Sequence, residues 1–413
     1  MRPKKGVAFD IGTTTIAGAS VDIASGSILG TLSLPNPQKK WGRDVLARIN
    51  AVKEDASLLG ELQKSVVNAC NVIIQGLGLR GEEIDEIVAA GNPVMEHILL
   101  NISPEPLSRV PYRPAFLDSR TVSAKESGFE AGLDAKLYAF PFIGGFVGGD
   151  AVAVALSLGL KDEKEAALAI DIGTNSEIIL SAGGELFATS AAAGPAFEGG
   201  GIKYGITAER GAIEGVVIDG EEIRLDVIGD VAPKGICGSG LVDAVSELIK
   251  AGIIDLSGRI KGKDEVATNL SARIRETPDG SGNSFVLYRG ASTEVSLSQP
   301  DIRALQAAKS AIKAGISMLL KKAKTAPGDV KKVYIAGAFG SHLKPEGLKT
   351  IGILDESWLN DIRSVGDAAL DGAVLAFRDD KKRAAETLAK GSKYVSLSGS
   401  SHFEREFIRN MNF

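Results

Sequence analysis

An α/β fold of two similarly built lobes is predicted by three features: a strand–turn–strand pattern that occurs twice, two small-residue helices that each open at Gly-Asp, and apolar strand runs alternating with helical periodicity. Gly6-Val-Ala-Phe-Asp10-Ile-Gly12-Thr-Thr-Thr15 returns as Ala169-Ile-Asp171-Ile-Gly173-Thr174-Asn175-Ser176. In each copy an apolar run rises into Asp-Ile-Gly-Thr, and a second apolar run follows at once. This is the pattern of a β-hairpin with polar groups at its tip. The copies lie about one domain length apart, so each is expected to begin its own lobe, the two facing each other.

The remaining elements follow in order. Leu59, Leu62, Val66 and Cys70 recur at steps of three and four, which places Cys70 on a buried helix face. Glu86 to Ala90 reads as a strand ending at Gly91-Asn92, and Leu137 to Ile143 as another. Gly148-Gly149-Asp150 opens an Ala-rich helix, Ala151 to Leu160. The charged run Lys161 to Glu165 marks a boundary, giving a first lobe at 1–163 and a second at 164–363. The second lobe holds a Gly-rich loop, Gly194 to Gly201, and a helix from Gly240 to Lys250. It also holds an exposed hairpin insertion at about 257–300 and the longest helix, Asp301 to Lys324, capped by Ser298 or Asp301. Lys332 to Ala336 is a strand delivered into Gly337-Ala338-Phe339-Gly340. Val365-Gly366-Asp367 opens the second Ala-rich helix, and 364–413 is expected to return toward the first lobe.

Composition narrows the function classes. A net charge of −5 over 413 residues argues against nonspecific binding to nucleic acid or an anionic membrane. No run of eighteen apolar residues occurs, and the basic start Met1 to Lys5 is followed by an apolar stretch broken at Asp10 and Gly12, so the expected location is the cytoplasm. The two cysteines, Cys70 and Cys237, leave no disulfide framework, zinc site or Cys-ligated iron–sulfur cluster within one chain.

Asp-x-Gly-Thr at a hairpin tip suits a phosphate. Gly lets backbone N–H groups approach an anion without a Cβ in the way, and the threonines add hydroxyl donors. Asp would repel the phosphate unless a cation lay between, and Mg2+ is the natural mediator. Asp10 and Asp171 are therefore the candidate metal-side carboxylates, acting through water. Gly12, Thr13, Thr14, Thr15, Gly173, Thr174 and Asn175 are the candidate phosphate contacts. Asp150 could orient the attacking water or simply cap its helix. Glu198, in a Phe-bearing loop flanked by glycines, could contact a partner, contact a ribose or cap a helix. Cys237 reads as a small buried residue near a helix start. No Walker sequence occurs, and Gly238-Ser-Gly240 does not follow a convincing strand.

The ordered set of hairpin, Gly-led helix, hairpin, strand-Gly-Ala-Phe-Gly and second Gly-led helix resembles the nucleotide site of the actin, sugar-kinase and heat-shock-chaperone superfamily. That resemblance implies an actin-like, ribonuclease-H-like fold with mixed five-stranded sheets and ATP in a cleft between the lobes. It also places Gly200, Gly337, Ala338, Phe339 and Asp367 near the nucleotide. Longer blocks are similar to the ATP-dependent reductive activators of corrinoid proteins. They are Trp41 to Ile49, Ala90 to His97, Ala193 to Gly200, Ile236 to Asp243, Gln299 to Lys309 and Ala336 to Leu343. Asp367 departs from that family's pattern, where Asn is expected.

Membership would imply that ATP hydrolysis drives an electron onto cobalt(II) in a partner corrinoid protein, and that the chain is a homodimer. The amino-terminal iron–sulfur domain common in the family has no counterpart here. The chain is then either an ATPase portion or a member that takes electrons from a separate iron–sulfur donor. The rivals are a small-molecule kinase of the same superfamily and a chaperone-like or cytoskeletal ATP-binding module.

Overall fold

The computed structural model describes residues 4–277, 282–291, 293–337, 343–358 and 361–413. Along the chain, β1 (Lys5–Ile11), β2 (Thr15–Asp22) and β3 (Ser27–Pro35) precede α1 (Val45–Glu54), α2 (Leu58–Gly76), β4 (Ile84–Gly91) and α3 (Pro93–Leu99). Then come β5 (Arg120–Ser123), β6 (Lys136–Ala139), α4 (Gly149–Ser157), β7 (Ala166–Asp171), β8 (Asn175–Ala182) and β9 (Glu185–Ala192). β10 (Ala212–Asp219), β11 (Glu222–Val227), β12 (Gly235–Ile236), α5 (Gly238–Lys250), β13 (Ile274–Glu276), β14 (Asn283–Arg289), β15 (Glu294–Ser298) and α6 (Gln299–Ala323) follow. Last are β16 (Val330–Ala336), α7 (Pro345–Thr350), β17 (Ile362–Gly366), α8 (Ala368–Leu375), α9 (Asp379–Gly391), β18 (Ser392–Tyr394) and α10 (Ser401–Arg409).

Two compact units result. One comprises Met1–Asp171, Glu177–Ser190 and Asp367–Ser396, the other Ile172–Ser176, Ala191–Gly366 and Leu397–Phe413. In the first unit a mixed sheet runs in the order β3-β2-β1-β4-β6-β5. β1 is antiparallel to β2 and parallel to β4. The sheet has six strands where the sequence reading expects five. The extra one is β5, an edge strand of sequence Arg-Thr-Val-Ser that is largely exposed and so carries no apolar signal. The strand expected over Leu137 to Ile143 stops at Ala139, because Ile143 and Gly144 both turn their N–H groups onto the Val147 carbonyl at 3.0 and 3.1 Å.

The core of this unit explains why the hairpins form. Val7, Phe9 and Ile11 alternate along β1 onto the face covered by Val66, Cys70 and Ile73 of α2. The Cys70 thiol is buried there, and burial pushes its pKa up. On β7, β8 is antiparallel, and β18 is parallel to β9. α4 and α8 pack together through a glycine: a Cβ on Gly372 would lie 2.1 Å from the Ala153 carbonyl oxygen.

In the second unit α5 packs on β10, and β16 and β17 run parallel. The segment expected as an exposed hairpin contains instead a three-stranded antiparallel sheet, β13-β14-β15. Phe285, Leu287, Val295 and Leu297 are buried along it. Its polar Gly/Ser turns hide strands too short for periodicity to reveal. The long helix α6 begins at Ser298, whose N–H and Oγ donate to Asp301 at 2.8 and 2.7 Å, so both candidate residues take part in one cap. Among the described residues, no helix is long and apolar enough to cross a membrane.

Candidate functional site

The first hairpin tip is braced from beneath. Asn36 donates from Nδ2 to the Gly12 carbonyl at 2.9 Å, and its backbone N–H donates to the Thr14 carbonyl at 2.7 Å. Arg48 is wholly buried and donates from Nη2 to the Thr13 carbonyl at 2.5 Å. Burial lowers its guanidinium to about 10. Asn92, the cap of α3, donates from Nδ2 to Thr13 Oγ1 at 3.1 Å. That contact uses the hydroxyl as acceptor and leaves its proton for another partner. Gly12 fits because a Cβ there would approach the Thr15 carbonyl to 2.7 Å. Thr14 and Thr15 are half-buried at the tip.

Asp10, Asp150, Asp171 and Asp367 come together in the first unit. Asp10 is the next-to-last residue of β1, Asp171 ends β7, Asp150 lies in the first turn of α4, and Asp367 caps α8 by accepting from the Leu370 N–H at 2.9 Å. Burial, then repulsion from Asp367, Asp171 and Asp150, lifts Asp10 well above the usual carboxylate range. Burial, then Asp367 and Asp150, pushes Asp171 up to about 8. Asp150 and Asp367 rise to about 6, chiefly through burial. Gly148, not Asp150, is the cap residue of α4, and no side chain caps that helix; the Asp150 Oδ1 instead accepts from the Ala151 N–H at 2.7 Å.

Two further carboxylates were not evident from motifs. Glu177 is the cross-strand partner of Asp171 and accepts from Ser190 Oγ at 3.1 Å. Glu96 is wholly buried on α3. Burial and the charge of Asp150 raise both well above the carboxylate range. The signal for Glu177 lay in the tight hairpin after Asp171, whose register sets the two opposite each other. Among the described residues, no three His, Cys, Asp or Glu form a ready-made chelate.

The second unit holds the other half of the candidates. Thr174 is buried, and its N–H and Oγ1 both donate to Glu198 Oε1 at 2.8 Å. Glu198 is itself buried, in a short 3-10 turn, Pro195–Glu198, flanked by Gly194 at φ +77 and Gly199 at φ +76. It is not displayed at the surface, as a docking residue would be. Asn175, Gly173 and Gly200 are half-buried. The Gly194 N–H donates to the Thr174 carbonyl at 2.9 Å, tying the Gly-rich loop to the hairpin. Gly337 ends β16 at φ +101, and its N–H donates to the Gly366 carbonyl at 2.9 Å. Ala338, Phe339 and His342 lie outside the described residues. Cys237 caps α5, and its Sγ lies 3.3 Å from the Ile213 carbonyl.

Carboxylates gathered at the ends of Asp-Ile-Gly-Thr hairpins and Gly-led helices, on mixed sheets, define a domain of the ASKHA class. A family described as "C-terminal domain of RACo the ASKHA domain" matches residues 165–413, and one described as "RACo middle region" matches residues 5–163. The chain belongs to the RACo family. It is 31% identical to "Corrinoid activation enzyme RamQ" of Eubacterium limosum, over all of this chain and 71% of that one. It is 23% identical to "[Co(II) methylated amine-specific corrinoid protein] reductase" of Methanosarcina barkeri, over 84% of this chain and 65% of that one. The solved "Reductive activator for corrinoid,iron-sulfur protein" superposes with a TM-score of 0.90 at 37% identity, covering all of this chain and 66% of that one. The chain thus spans roughly two thirds of the length of these relatives.

Proposed function

We propose that this chain is the ATP-hydrolysing portion of an activator that returns a corrinoid protein from cobalt(II) to cobalt(I). The observation that supports it most is the gathering of Asp10, Asp150, Asp171 and Asp367, from two hairpins and two helix starts, in a member of this family. The partner class follows from what the relatives are said to act on.

The donor set fits Mg2+. Six buried or half-buried carboxylates repel one another, and the charges that act on them are other carboxylates. Asp10 and Asp171 would hold the ion, through water, beside the phosphates. When bound, Mg2+ neutralises charge on the transferred phosphoryl group. Gly12, Thr13, Thr14, Thr15, Gly173, Thr174 and Asn175 would hold the phosphates, and Gly200, Gly337, Ala338 and Phe339 the nucleoside. Asp150, at about 6, is ionised at neutral pH and would accept a hydrogen bond from the attacking water. Asp367 would serve as a helix cap and, with its charge, tune Asp10 and Asp171.

Hydrolysis is needed on energetic grounds. A one-electron step costs about 1.4 kcal/mol per 59 mV, so a climb of a few hundred millivolts needs several kcal/mol. One electron leaves an iron–sulfur donor and one arrives on cobalt. Glu198 offers a link to the partner. Phosphate and the Glu198 carboxylate compete for the same Thr174 donors, so nucleotide binding would release Glu198 and its glycine-flanked loop for contact with the corrinoid protein. Phosphate release with Mg2+ and ATP, lost with a chelator and in Asp10→Ala, tests the ATPase. A folded wild-type protein with no ATP turnover, with or without a corrinoid partner, would overturn it.

A further inference from the structure

Glu96 is a buried acid that this reading leaves without a task. It lies in the first turn of α3, three residues past Pro93, and has no accessible surface. Its Oε1 accepts from the Gly91 N–H at 3.1 Å, at the end of β4 where Gly91 pairs with Ile11. Its Oε2 is buried and has no hydrogen-bond partner among the described residues. The same Oε1 that accepts from Gly91 lies close to the start of α4: a Cβ on Gly149 would lie 2.1 Å from it, so only glycine fits there. Gly148 is held equally tightly, since a Cβ there would lie 2.5 Å from the Gly91 carbonyl. Glu96 therefore wedges the strand end beside the first hairpin against the helix start that carries Asp150.

A wholly buried carboxylate with one oxygen unsatisfied is costly, more so if ionised. An apolar side chain of similar volume would remove the unsatisfied oxygen but would leave the buried Gly91 N–H without its acceptor. The titratable groups facing Glu96 are Asp150 on α4 and the Tyr138 phenol on β6. Neither supplies a positive charge.

Building on the proposed ATPase, we infer that Glu96 is a positioning residue for Asp150, held as a neutral carboxylic acid whose Oε2–H is kept for the Asp150 carboxylate in the reacting state. Its acceptor oxygen fixes the strand end, its lack of clearance fixes Gly149, and its proton gives Asp150 a neutral donor. The proton stays on Glu96 throughout, so hydrolysis requires no net transfer through it.

The test compares the wild-type chain with Glu96→Gln and Glu96→Leu, measuring melting temperature, steady-state ATP hydrolysis against pH, and the infrared carboxyl band. Glu96→Leu should still melt cooperatively as a folded protein yet lose at least tenfold in kcat, with KM for ATP changed less than threefold. Glu96→Gln, neutral and still a donor, should keep kcat within threefold, with an unshifted acid limb. A protonated-carboxyl C=O band present at neutral pH should vanish in Glu96→Gln. Wild-type kcat in Glu96→Leu, or an acid limb displaced downward in Glu96→Gln, would overturn the inference. So would a carboxyl band unchanged by the substitution. The infrared result stands even if the wild-type chain hydrolyses no ATP, so failure of the ATPase reading and failure of this one are distinguishable.

Discussion

Asp171 and Glu177 face each other directly across the antiparallel β7–β8 pair. Like charges in that position destabilise a sheet, and here both sit in an environment that raises their pKa. The first hairpin has no such pair: Asp10 is opposite Ala17. The two hairpins are alike in sequence but unequal in charge.

Stability should consequently fall with rising pH. Asp171 has a folded pKa of about 8 against an ordinary carboxylate value near 3.8, so the folded state binds the extra proton. That stabilisation is full below about pH 4 and is lost as pH rises through about 8. The melting temperature without nucleotide should drop between pH 5 and pH 8, and Asp171→Asn should flatten the slope. Asp367→Asn, which removes the largest charge acting on both Asp10 and Asp171, should raise the melting temperature at pH 8. A pH-independent melt in the wild-type chain would contradict this.

Mg2+ should displace protons from the same carboxylates. Adding a preformed Mg2+ complex of a non-hydrolysable ATP analogue near pH 7 in weak buffer should acidify the solution, measurably by an indicator dye, and Asp10→Ala should reduce the effect. No proton release would mean the ion binds elsewhere or not at all.

Much of this was legible in advance. Hairpins ending at Asp10 and Asp171 follow from apolar runs broken by Asp-Ile-Gly-Thr, and α2 from its three- and four-residue spacing. Arg48 and Asn36 were not, because each acts through a backbone group distant in sequence, and Glu96 was not, because a single Glu on a short helix carries no motif. β5 is a four-residue exposed edge strand with no apolar signal, and the hairpin expected in the insertion gains a third strand, β13, of only three residues. The glycines around Glu198 leave partner contact, ribose contact and helix capping open, whereas the structure turns it inward onto Thr174.

The Thr174–Glu198 contact makes a directional prediction. Glu198→Gln replaces the oxygen that accepts from both Thr174 donors by an amide, which should weaken the competitor of phosphate. ATP affinity should rise about fivefold, near 1 kcal/mol, by fluorescent-nucleotide titration. Weaker binding would show instead that Glu198 contacts the nucleotide itself.

Gly372 tests the packing of α4 on α8. A methyl group there would enter the Ala153 carbonyl at 2.1 Å, and helix backbone cannot yield as a side-chain tip can. Gly372→Ala should cost about 1–3 kcal/mol by denaturant titration. An unchanged midpoint would place the two helices further apart than described.

Both cysteines are buried, so neither should react with a thiol reagent before unfolding. Rapid labelling of Cys237 in the native protein would expose the start of α5 and reopen it as a metal or redox position.

The central claim is tested most directly by mixing the chain with a cobalt(II) corrinoid protein, Mg2+ and ATP, and following phosphate and the cobalt spectrum together. The account predicts that the corrinoid protein stimulates phosphate release. It also predicts that cobalt(I) forms only when a separate iron–sulfur donor and ATP are both present. Phosphate transfer to an added sugar or carboxylic acid, with no response to the corrinoid protein, would contradict it.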